Sequence, residues 1–249
     1  MKSLLEGKKI LVTGASRGLG RSFALRFCQD GARIAFTYSS DEARANATSE
    51  ELKKVSRSGD PLSFKVSVLD ESGQQKIAKR LDEEWGGIDI LVNNAGVSEA
   101  LPLALMNQDD WDRVIDTNLK GMYITTRAFL PGLVRRKNGV ILNIGSLAGV
   151  RLLAAPVHYC ASKAAAKGFT ESLSKEIARY KIRVNCLAPG LLQDGVAKNL
   201  PQDKLEDYLE QLSLGRCGTF EEIAGFASFM VSGRNTYMNG STIVMDGGL

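Results

Sequence analysis

Short apolar segments alternate with longer amphipathic segments along almost the whole of this 249-residue chain. The apolar segments are rich in Val and Ile, as strands buried on both faces are. These strand candidates lie at 9–14, 33–38, 62–68, 88–96, 139–146, 182–190 and 241–248. The helix candidates lie at 19–30, 41–58, 71–85, 107–137, 157–180 and 219–232. Strands that alternate with helices predict βαβ units, so we expect an α/β fold with one Rossmann-like, doubly wound parallel sheet of about seven strands and helices on both faces.

One segment departs from this alternation. Residues 190–215 form a long insertion after the sixth strand candidate, with a short helix of their own around 202–212. Insertions at the carboxyl ends of strands commonly cover binding sites, so we expect a substrate lid here. No repeat or linker divides the chain, which predicts a single domain over 1–249. The predicted N-caps of three helices are Ser72, Asp109 and Thr219.

The composition narrows the function classes. Hydrophobic residues make up 44% and charged residues 24% of the chain, which is ordinary for a globular protein. The net charge of +4 comes without a dense basic tract, which argues against nucleic-acid binding. The four cysteines are scattered and form no metal-ligand motif with the single histidine. No apolar run is long enough to cross a bilayer, so we expect a cytoplasmic protein with neither a metal nor a membrane partner.

A glycine-rich loop follows the first strand candidate and opens the first helix candidate. The run Thr13–Gly20, TGASRGLG, has the spacing G-x-x-x-G-x-G. It has three glycines, as the dinucleotide fingerprint G-x-G-x-x-G has, but their spacing differs. Gly14 can make the tight turn, Gly18 removes a side chain where a pyrophosphate would lie, and Gly20 lets the helix pack close to the sheet. The alternative is an ordinary strand-to-helix turn, and the flanking strand and helix favour the dinucleotide site.

The second strand candidate lacks the acidic residue that binds the ribose hydroxyls of NAD(H). It ends in the run FTYSS at 36–40, and the first acid, Asp41, is expected to begin the next helix. Arg17, in the glycine loop, can meet a 2′-phosphate. These features predict NADP(H) as the cofactor, whereas the alternative treats Arg17 as a solvated loop cation.

Tyr159 and Lys163 are four residues apart in a predicted helix, which puts both side chains on one face. Such neighbours are common on helices, so the pair by itself is either of no consequence or a phenol whose ionised form the lysine stabilises. His158, the single histidine, either lines a pocket beside this pair or has a structural role, and the structural role is favoured.

Several motifs in a characteristic order and spacing indicate what the chain resembles. They are TGASRGLG at 13–20, NNAG at 93–96, Asn118 in DTNLKG, Ser146 in NIGS, YCASK at 159–163, APG at 188–190 and MNGSTIVMDGG at 238–248. With them the chain resembles the short-chain dehydrogenase/reductase family nearly end to end, and within it the 3-oxoacyl-(acyl-carrier-protein) reductases. The resemblance implies an NADPH-dependent ketoreductase of fatty-acid or polyketide-type biosynthesis, assembled as a homotetramer.

The resemblance also implies a catalytic set of four residues. Tyr159 would give a proton to the alkoxide that hydride reduction leaves, and Lys163 would stabilise the phenolate and hold the nicotinamide ribose. Ser146 would hydrogen-bond the substrate carbonyl, and Asn118 would hold a water that resupplies protons. The implied cofactor contacts are Gly14, Ser16, Arg17, Gly18, Leu19, Gly20, Thr37, Ser39, Val68, Asn94, Ala95, Gly96, Tyr159, Lys163, Pro189, Gly190 and Leu192.

Two departures from the family pattern predict a specialised reductase. Relatives often have Asp-Val where this chain has Ser67 and Val68, which leaves the adenine contact to backbone groups and Val68. Relatives usually have a threonine shortly after the APG motif, at the nicotinamide amide, and here that run is LLQDG at 191–195. The missing threonine bears on the carboxamide contact and on closure of the lid.

The substrate wall and the partner are also expectations from this resemblance. Residues 147–157 are apolar apart from Arg151, which suits an acyl chain. An acidic acyl carrier protein would need a basic landing site near the pocket mouth, for which the candidates are Arg135, Arg136, Lys137, Arg179 and Lys181.

Other interpretations stay open at this point. A second is a family member that acts on a sugar, a steroid or a small secondary alcohol. An enoyl reductase is disfavoured, because such relatives space the tyrosine and the lysine further apart. A third is a non-catalytic NADP(H)-binding regulator, against which the intact four-residue set argues, since a sensor needs no proton donor.

Overall fold

Seven parallel strands form one sheet in the computed structural model, which describes residues 3–151, 153–195 and 202–249. The strands are β1 (Lys9–Val12), β2 (Arg33–Tyr38), β3 (Leu62–Lys65), β4 (Ile90–Asn93), β5 (Gly139–Ile144), β6 (Ile182–Pro189) and β7 (Thr242–Met245). Their order across the sheet is β3-β2-β1-β4-β5-β6-β7, and every pair of neighbours is parallel. The predicted α/β class with a doubly wound parallel sheet is confirmed.

Helices cover both faces of the sheet. They are α1 (Gly18–Gln29), α2 (Glu42–Val55), α3 (Glu71–Trp85), α4 (Gln108–Ile115), α5 (Gly121–Arg136), α6 (Val157–Glu176), α7 (Gln202–Glu210) and α8 (Phe220–Val231). On one face α1, α2 and α8 pack on side chains such as Val12, and on the other α3, α5 and α6 pack on side chains such as Leu11. Because alternate strand residues point to opposite faces, adjacent apolar residues serve different cores, and the strands are therefore continuously apolar.

The helix predicted over 107–137 is interrupted. Residues Asp116–Lys120 form a π-helical turn between α4 and α5. Within this turn the side chain of Asn118 forms hydrogen bonds with the main chain of Val97. A π turn inserts one residue and re-aims its side chains, which a 3.6-residue apolar pattern does not reveal.

Two of the three predicted N-caps are wrong. Asp70, and not Ser72, caps α3, and Asn107, and not Asp109, caps α4. In both cases an earlier Asp or Asn side chain reaches the free N–H groups of the first turn, and the predicted residue lies inside the helix. The third prediction is confirmed, because Thr219 caps α8 in a capping box.

The insertion predicted at 190–215 contains a short helix, α7, as expected. Its residues 196–201 lie outside the described part of the chain. The main-chain N–H of Leu191 donates to the hydroxyl of Tyr208 on α7, at a distance of 3.3 Å. This contact holds α7 against the carboxyl end of β6, and the role of the insertion as a lid stays a prediction.

The carboxyl edge of the sheet brings the predicted motifs together. Because all strands run the same way, the loops after β1, β4, β5 and β6 reach one edge, and they contain Thr13–Gly20, Asn94–Gly96, Ser146 and Gly190. The strand order reverses between β1 and β4, and the crevice at such a switch point is where open α/β sheets bind ligands. The fold therefore places the candidate site at this edge.

Candidate active site

The glycine loop between β1 and α1 forms a cradle at a helix N-terminus. Gly14 and Gly18 have φ angles of +66° and +58°, in the left-handed region that favours glycine. A Cβ on Gly14 would lie 2.9 Å from the Cα of Ala95, whereas a Cβ on Gly18 would meet nothing nearer than a Phe220 ring carbon at 4.0 Å. The loop therefore touches the end of β4 at Gly14 and leaves open space at Gly18, beside the free N–H groups that begin α1.

Side chains at the ends of β1 and β4 hold this loop. The Oγ1 of Thr13 accepts the N–H groups of Asn94 and Ala95, each at 3.0 Å. The Nδ2 of Asn94 donates to the carbonyls of Thr13 at 2.9 Å and Gly14 at 3.1 Å. A Cβ on Gly20 would lie 2.4 Å from that Nδ2, so the glycine lets α1 approach the loop. Asn94 thus supports the cradle, and its direct contact with a cofactor stays a prediction.

The end of β2 and the start of α1 each present an exposed polar residue. Arg17 is exposed and forms no ion pair within the described residues. Asp41 caps α2 with its side chain, so the first acid after β2 begins a helix, as predicted. Ser39 is exposed, whereas Thr37 is buried and its carbonyl accepts the N–H of Ala15 at 3.1 Å. A cation and a hydroxyl, rather than a ribose-binding carboxylate, are therefore available here.

Other predicted cofactor residues surround the cradle. The carbonyl of Ser16 accepts the hydroxyl of Thr48 at 3.1 Å, which ties the loop to α2. Leu19 is partly buried against the core beneath α1. Val68 follows β3 and packs on Gly121, where a Cβ would come within 2.5 Å of its Cγ2. Val68 therefore lies beside the start of α5, immediately after the π-helical turn.

Lys163 and Tyr159 lie one turn apart on α6, as their spacing predicts. Lys163 is 6% exposed, and its Nζ donates to the carbonyl of Ile144 at the end of β5, at 2.9 Å. The same Nζ lies 5.7 Å from the centroid of the Tyr159 ring. No carboxylate of the described residues pairs with this ammonium. The ammonium of Lys163 is therefore buried beside the ring of Tyr159, and its predicted role in stabilising the phenolate stays a prediction.

Asn118 joins three parts of the site. Its Oδ1 accepts the N–H of Val97 at 2.8 Å, and its Nδ2 donates to the Val97 carbonyl and to the Oγ of Ser162, both at 2.9 Å. Ser162 donates in turn to the carbonyl of Tyr159 at 2.8 Å. A Cβ on Gly96 would lie 3.1 Å from Asn118 Oδ1, so this glycine lets the segments meet. The amide of Asn118 thus holds the segment after β4 against α6. Its predicted role in binding a water stays a prediction.

Ser146 lies where the loop after β5 rests on α6. A Cβ on Gly149 would lie 2.3 Å from the carbonyl carbon of Lys163, so the loop and the helix are in direct contact. The Oγ of Ser146 accepts the N–H of Ala148 at 3.2 Å. An accepting hydroxyl keeps its proton free, so Ser146 can donate to a substrate carbonyl.

The segment after β6 packs on the segment after β7. Pro189 ends β6, and a Cβ on Gly190 would lie 2.7 Å from the Cα of Asp246. The carboxylate of Asp246 lies 3.6 Å from the guanidinium of Arg151, which joins the loop after β5 to the same segment. Pro189 and Gly190 thus lie at the carboxyl edge, and the side chain of Leu192 packs in the core. The cofactor contacts of Pro189, Gly190 and the Leu192 main chain stay predictions.

Asn93 and Asn143 form a buried network that the sequence analysis did not identify. The Nδ2 of Asn93 donates to Thr126 Oγ1 at 2.9 Å and to Asn143 Oδ1 at 2.8 Å, and the Nδ2 of Asn143 donates to Thr170 Oγ1 at 2.9 Å. The network ties β4 and β5 to α5 and α6. The sequence feature that could have revealed this network is an asparagine within a strand candidate that is buried on both faces. A buried side-chain amide needs hydrogen-bond partners, so such an asparagine predicts polar neighbours.

The two cysteines near the site are not nucleophiles. Burial raises the pKa of the Cys160 thiol and of the Cys186 thiol above its usual range. A thiol that stays protonated is a weak nucleophile. The Sγ of Cys160 lies 3.6 Å from the carbonyl of Ala155, so this side chain packs beside the start of α6.

The basic cluster predicted to dock a carrier protein lies at the opposite edge of the sheet. Its members end α5 or follow α6, just before β5 and β6 begin, and they are Arg135, Arg136, Lys137, Arg179 and Lys181. Residues that lead into parallel strands lie at the amino edge, so within one chain the prediction that this cluster lies near the pocket mouth is wrong. Arg135 and Arg136 are moreover both paired with Asp82.

Two other classes of site are absent from the part of the chain that the structure describes. No helix there has the length and apolarity to span a bilayer. No group of three or more His, Cys, Asp or Glu side chains there could hold a metal ion.

Comparisons with known proteins agree with this geometry. The family model for short chain dehydrogenases matches residues 8–205. The chain is 36% identical over 247 residues to the 3-oxoacyl-(acyl-carrier-protein) reductase FabG of Thermotoga maritima, with 98% of each chain covered. It is also 36% identical to the reductase of the same name from Chlamydia muridarum, with 100% of each chain covered.

Solved structures extend the similarity to three dimensions. A double mutant of a short-chain dehydrogenase/reductase of Serratia marcescens has a TM-score of 0.91 and 28% identity, with 98% of each chain covered. A short-chain type dehydrogenase/reductase of Mycobacterium marinum has a TM-score of 0.89 and 30% identity, covering 99% of this chain and 96% of that one. The similarity thus extends over nearly the entire fold, including the glycine loop and α6.

Proposed function

The chain belongs to the short-chain dehydrogenase/reductase family, and we propose that it reduces the 3-keto group of an acyl thioester carried on acyl carrier protein, with NADPH as the reductant. The product is the 3-hydroxyacyl thioester, in fatty-acid or polyketide-type biosynthesis. The relatives named as 3-oxoacyl-(acyl-carrier-protein) reductases support the substrate class. The chain is accordingly an oxidoreductase.

A single arrangement carries this proposal, namely the buried ammonium of Lys163 with its Nζ 5.7 Å from the Tyr159 ring centroid. The hydroxyl of Ser146 holds the carbonyl oxygen of the substrate, and Tyr159 gives its phenolic proton to that oxygen. Lys163 stabilises the phenolate that remains. Asn118 keeps the loop after β4 and the helix α6 in register through Val97 and Ser162.

The cradle fits a dinucleotide phosphate on two observations. A Cβ on Gly18 would have a ring carbon at 4.0 Å as its nearest neighbour, and the free N–H groups of α1 begin there. Arg17 would hold the 2′-phosphate, and Lys163 the nicotinamide ribose. When bound, NADPH would supply a hydride for the carbonyl carbon, and Tyr159 would supply the proton that completes the alcohol.

The second candidate function is the reduction or oxidation of a different ketone or alcohol by the same machinery. The run LLQDG after Gly190, which lacks the threonine usual in relatives, favours it, because this run borders the site. It shares the residues of the first candidate, so only the substrate separates the two.

Oxidation of NADPH by the purified protein tests the proposal directly. Acetoacetyl thioesters on acyl carrier protein and on a free pantetheine analogue serve as substrates, with NADH as the parallel reductant and other ketones as a panel. We expect turnover with NADPH and little with NADH. The variant Tyr159→Phe should lose about 10²–10⁴-fold in kcat while it still binds NADPH. Turnover of a sugar or steroid ketone without thioester activity would favour the second candidate.

The homotetramer and the cytoplasmic location stay predictions. Exposed aromatic side chains support an assembly through α5 and the region of α8, since Tyr123 is 45% and Tyr237 is 101% exposed. Light scattering on the purified chain distinguishes a tetramer from a dimer or a monomer.

A further inference from the structure

The helix that carries Tyr159 begins without a capping side chain. Its N-cap residue is Pro156, which forms no side-chain cap, and the first intrahelical bond runs from the N–H of Cys160 to the Pro156 carbonyl. Tyr159 is the third residue of α6, so its N–H has no acceptor within the helix. The proposed proton donor thus lies in the part of the helix where the main chain is least constrained.

His158 supplies the missing acceptor. Its Nδ1 accepts the N–H of Tyr159 at 2.9 Å. Because Nδ1 accepts, the ring is neutral and its proton is on Nε2. A neutral ring also suits the N-terminus of a helix, where the macrodipole disfavours a cation.

The burial of His158 indicates that the hydrogen bond from the Tyr159 N–H is the reason for an imidazole at this position. His158 is 0% exposed, and its Nε2 has no hydrogen-bond partner within the described residues. An apolar side chain would fill the same space without burying an unpaired N–H, which is unfavourable. The polar function left to the ring is therefore its bond to Tyr159.

The carbonyl of Tyr159 is held as well. It accepts the hydroxyl of Ser162 at 2.8 Å, and Ser162 accepts from the Nδ2 of Asn118 at 2.9 Å. Side chains therefore fix both main-chain polar groups of Tyr159, one from each side of the residue. Of the two, His158 holds the N–H, for which the helix itself offers nothing.

We propose that His158 is a positioning residue for Tyr159. Its Nδ1 accepts the main-chain N–H of Tyr159 in the first turn of α6, and this cap fixes the orientation of the proton donor. The inference rests on the proposed function in one respect, that Tyr159 is the donor. His158 touches neither substrate nor cofactor in this role and acts only through the main chain of Tyr159. Displacement of a donor by about 1 Å costs up to about 100-fold in rate.

Two substitutions separate the cap from simple packing. In His158→Asn the side-chain oxygen lies where Nδ1 was, so the cap is kept although the side chain is smaller. In His158→Gln the volume is better matched, but the amide reaches the position of Nε2 and the acceptor is lost. We expect kcat for acetoacetyl thioester to fall about 10- to 100-fold in His158→Gln and to stay within about threefold of wild type in His158→Asn. The KM and the NADPH dissociation constant should change little in either.

The ranking of the two variants decides the outcome. Equal losses in kcat, or a larger loss in His158→Asn, would show that the ring only fills space and would overturn the inference. If His158→Gln fails to fold, judged by its melting temperature and NADPH binding, a folded His158→Asn with a loss of tenfold or more would overturn it too. Retained turnover in Tyr159→Phe would instead refute the proposed donor, so the two failures are distinguishable.

Discussion

Two cations proposed to act at the carboxyl edge of the sheet differ in their partners from two arginines at the amino edge, although Arg151, also at the carboxyl edge, pairs with Asp246. At the carboxyl edge, Lys163 is buried and Arg17 is exposed, and neither pairs with a carboxylate among the described residues. At the amino edge, Arg135 and Arg136 both pair with Asp82. A paired surface cation has little charge left for a ligand, whereas an unpaired cation in a crevice attracts or stabilises an anion. The difference supports the proposal that the reaction takes place at the carboxyl edge.

The amino edge of the sheet also has a cavity. A cavity of about 540 Å³ opens at the amino edge, between the starts of β5 and β6 and the segment after α8. Its lining includes Arg183, whose guanidinium is already engaged by three main-chain carbonyls. That edge has neither the switch-point loops nor the glycine cradle that dinucleotides require. The candidate site is therefore identified by its chemistry.

The largest expected difference between the two edges is in kcat, when one cation at each edge is replaced. Lys163→Met should lower kcat by about 10³-fold, because the phenolate of Tyr159 loses its stabilising charge. Arg135→Gln, at the amino edge, should leave kcat within about twofold and the free energy of unfolding within about 1 kcal/mol, since its ion pair is exposed. Steady-state kinetics and urea unfolding measure both. A comparable loss of kcat in the two variants would contradict the contrast.

A smaller difference is expected for cofactor selection. Arg17→Gln should raise the KM for NADPH about 10- to 100-fold and leave the KM for NADH nearly unchanged, because only NADPH has the 2′-phosphate that a guanidinium can bind. Initial rates with each cofactor give both constants. Arg135→Gln is again the control and should alter neither. An equal rise in KM for both cofactors would show that Arg17 attracts phosphate groups in general and does not select the 2′-phosphate.

The smallest expected difference compares two glycines in the same backbone conformation. Gly7→Ala, before β1, has a φ of +69° and no atom within 4 Å of the new Cβ, so it should lower the free energy of unfolding by about 1 kcal/mol. Gly14→Ala has the same conformational cost at a φ of +66° and also a contact of 2.9 Å with Ala95, so about 3 kcal/mol is expected. Urea unfolding without cofactor measures both. Equal costs would mean that Ala95 moves away easily.

Much of the fold was predictable because it depends on local pattern. The seven strands and the helices follow from apolar runs and their spacing, and their bounds differ from the predicted ones by a few residues at the ends. The interruption at Asp116–Lys120 was not predictable, because the hydrogen bonds of Asn118 with Val97 join segments 21 residues apart. The caps Asp70 and Asn107 were missed for a local reason, since an earlier residue also had a capping side chain.

The structure brings many of the predicted site residues to one edge of the sheet, but their hydrogen bonds were not predictable from the sequence. The spacing of Tyr159 and Lys163 places them on one helix face, and the structure has them there. The sequence analysis named Asn94 as a cofactor contact, and the structure shows that its side-chain amide binds the glycine loop. The charge of the basic cluster at Arg135–Lys137 was visible in the sequence. The prediction that it lies near the pocket mouth did not take into account at which edge of the sheet the cluster lies.

The sequence by itself determined the parallel α/β sheet, the glycine loop and the face that Tyr159 and Lys163 share, because these depend on periodicity and on neighbours within a turn. The tertiary structure alone decided that Lys163 is buried without a carboxylate, that Asn118 joins Val97 to Ser162, and which edge of the sheet each cation occupies. The physical reason is that burial and hydrogen-bond partners are properties of segments brought together from distant parts of the chain. Such contacts leave no periodic trace in the sequence of either segment.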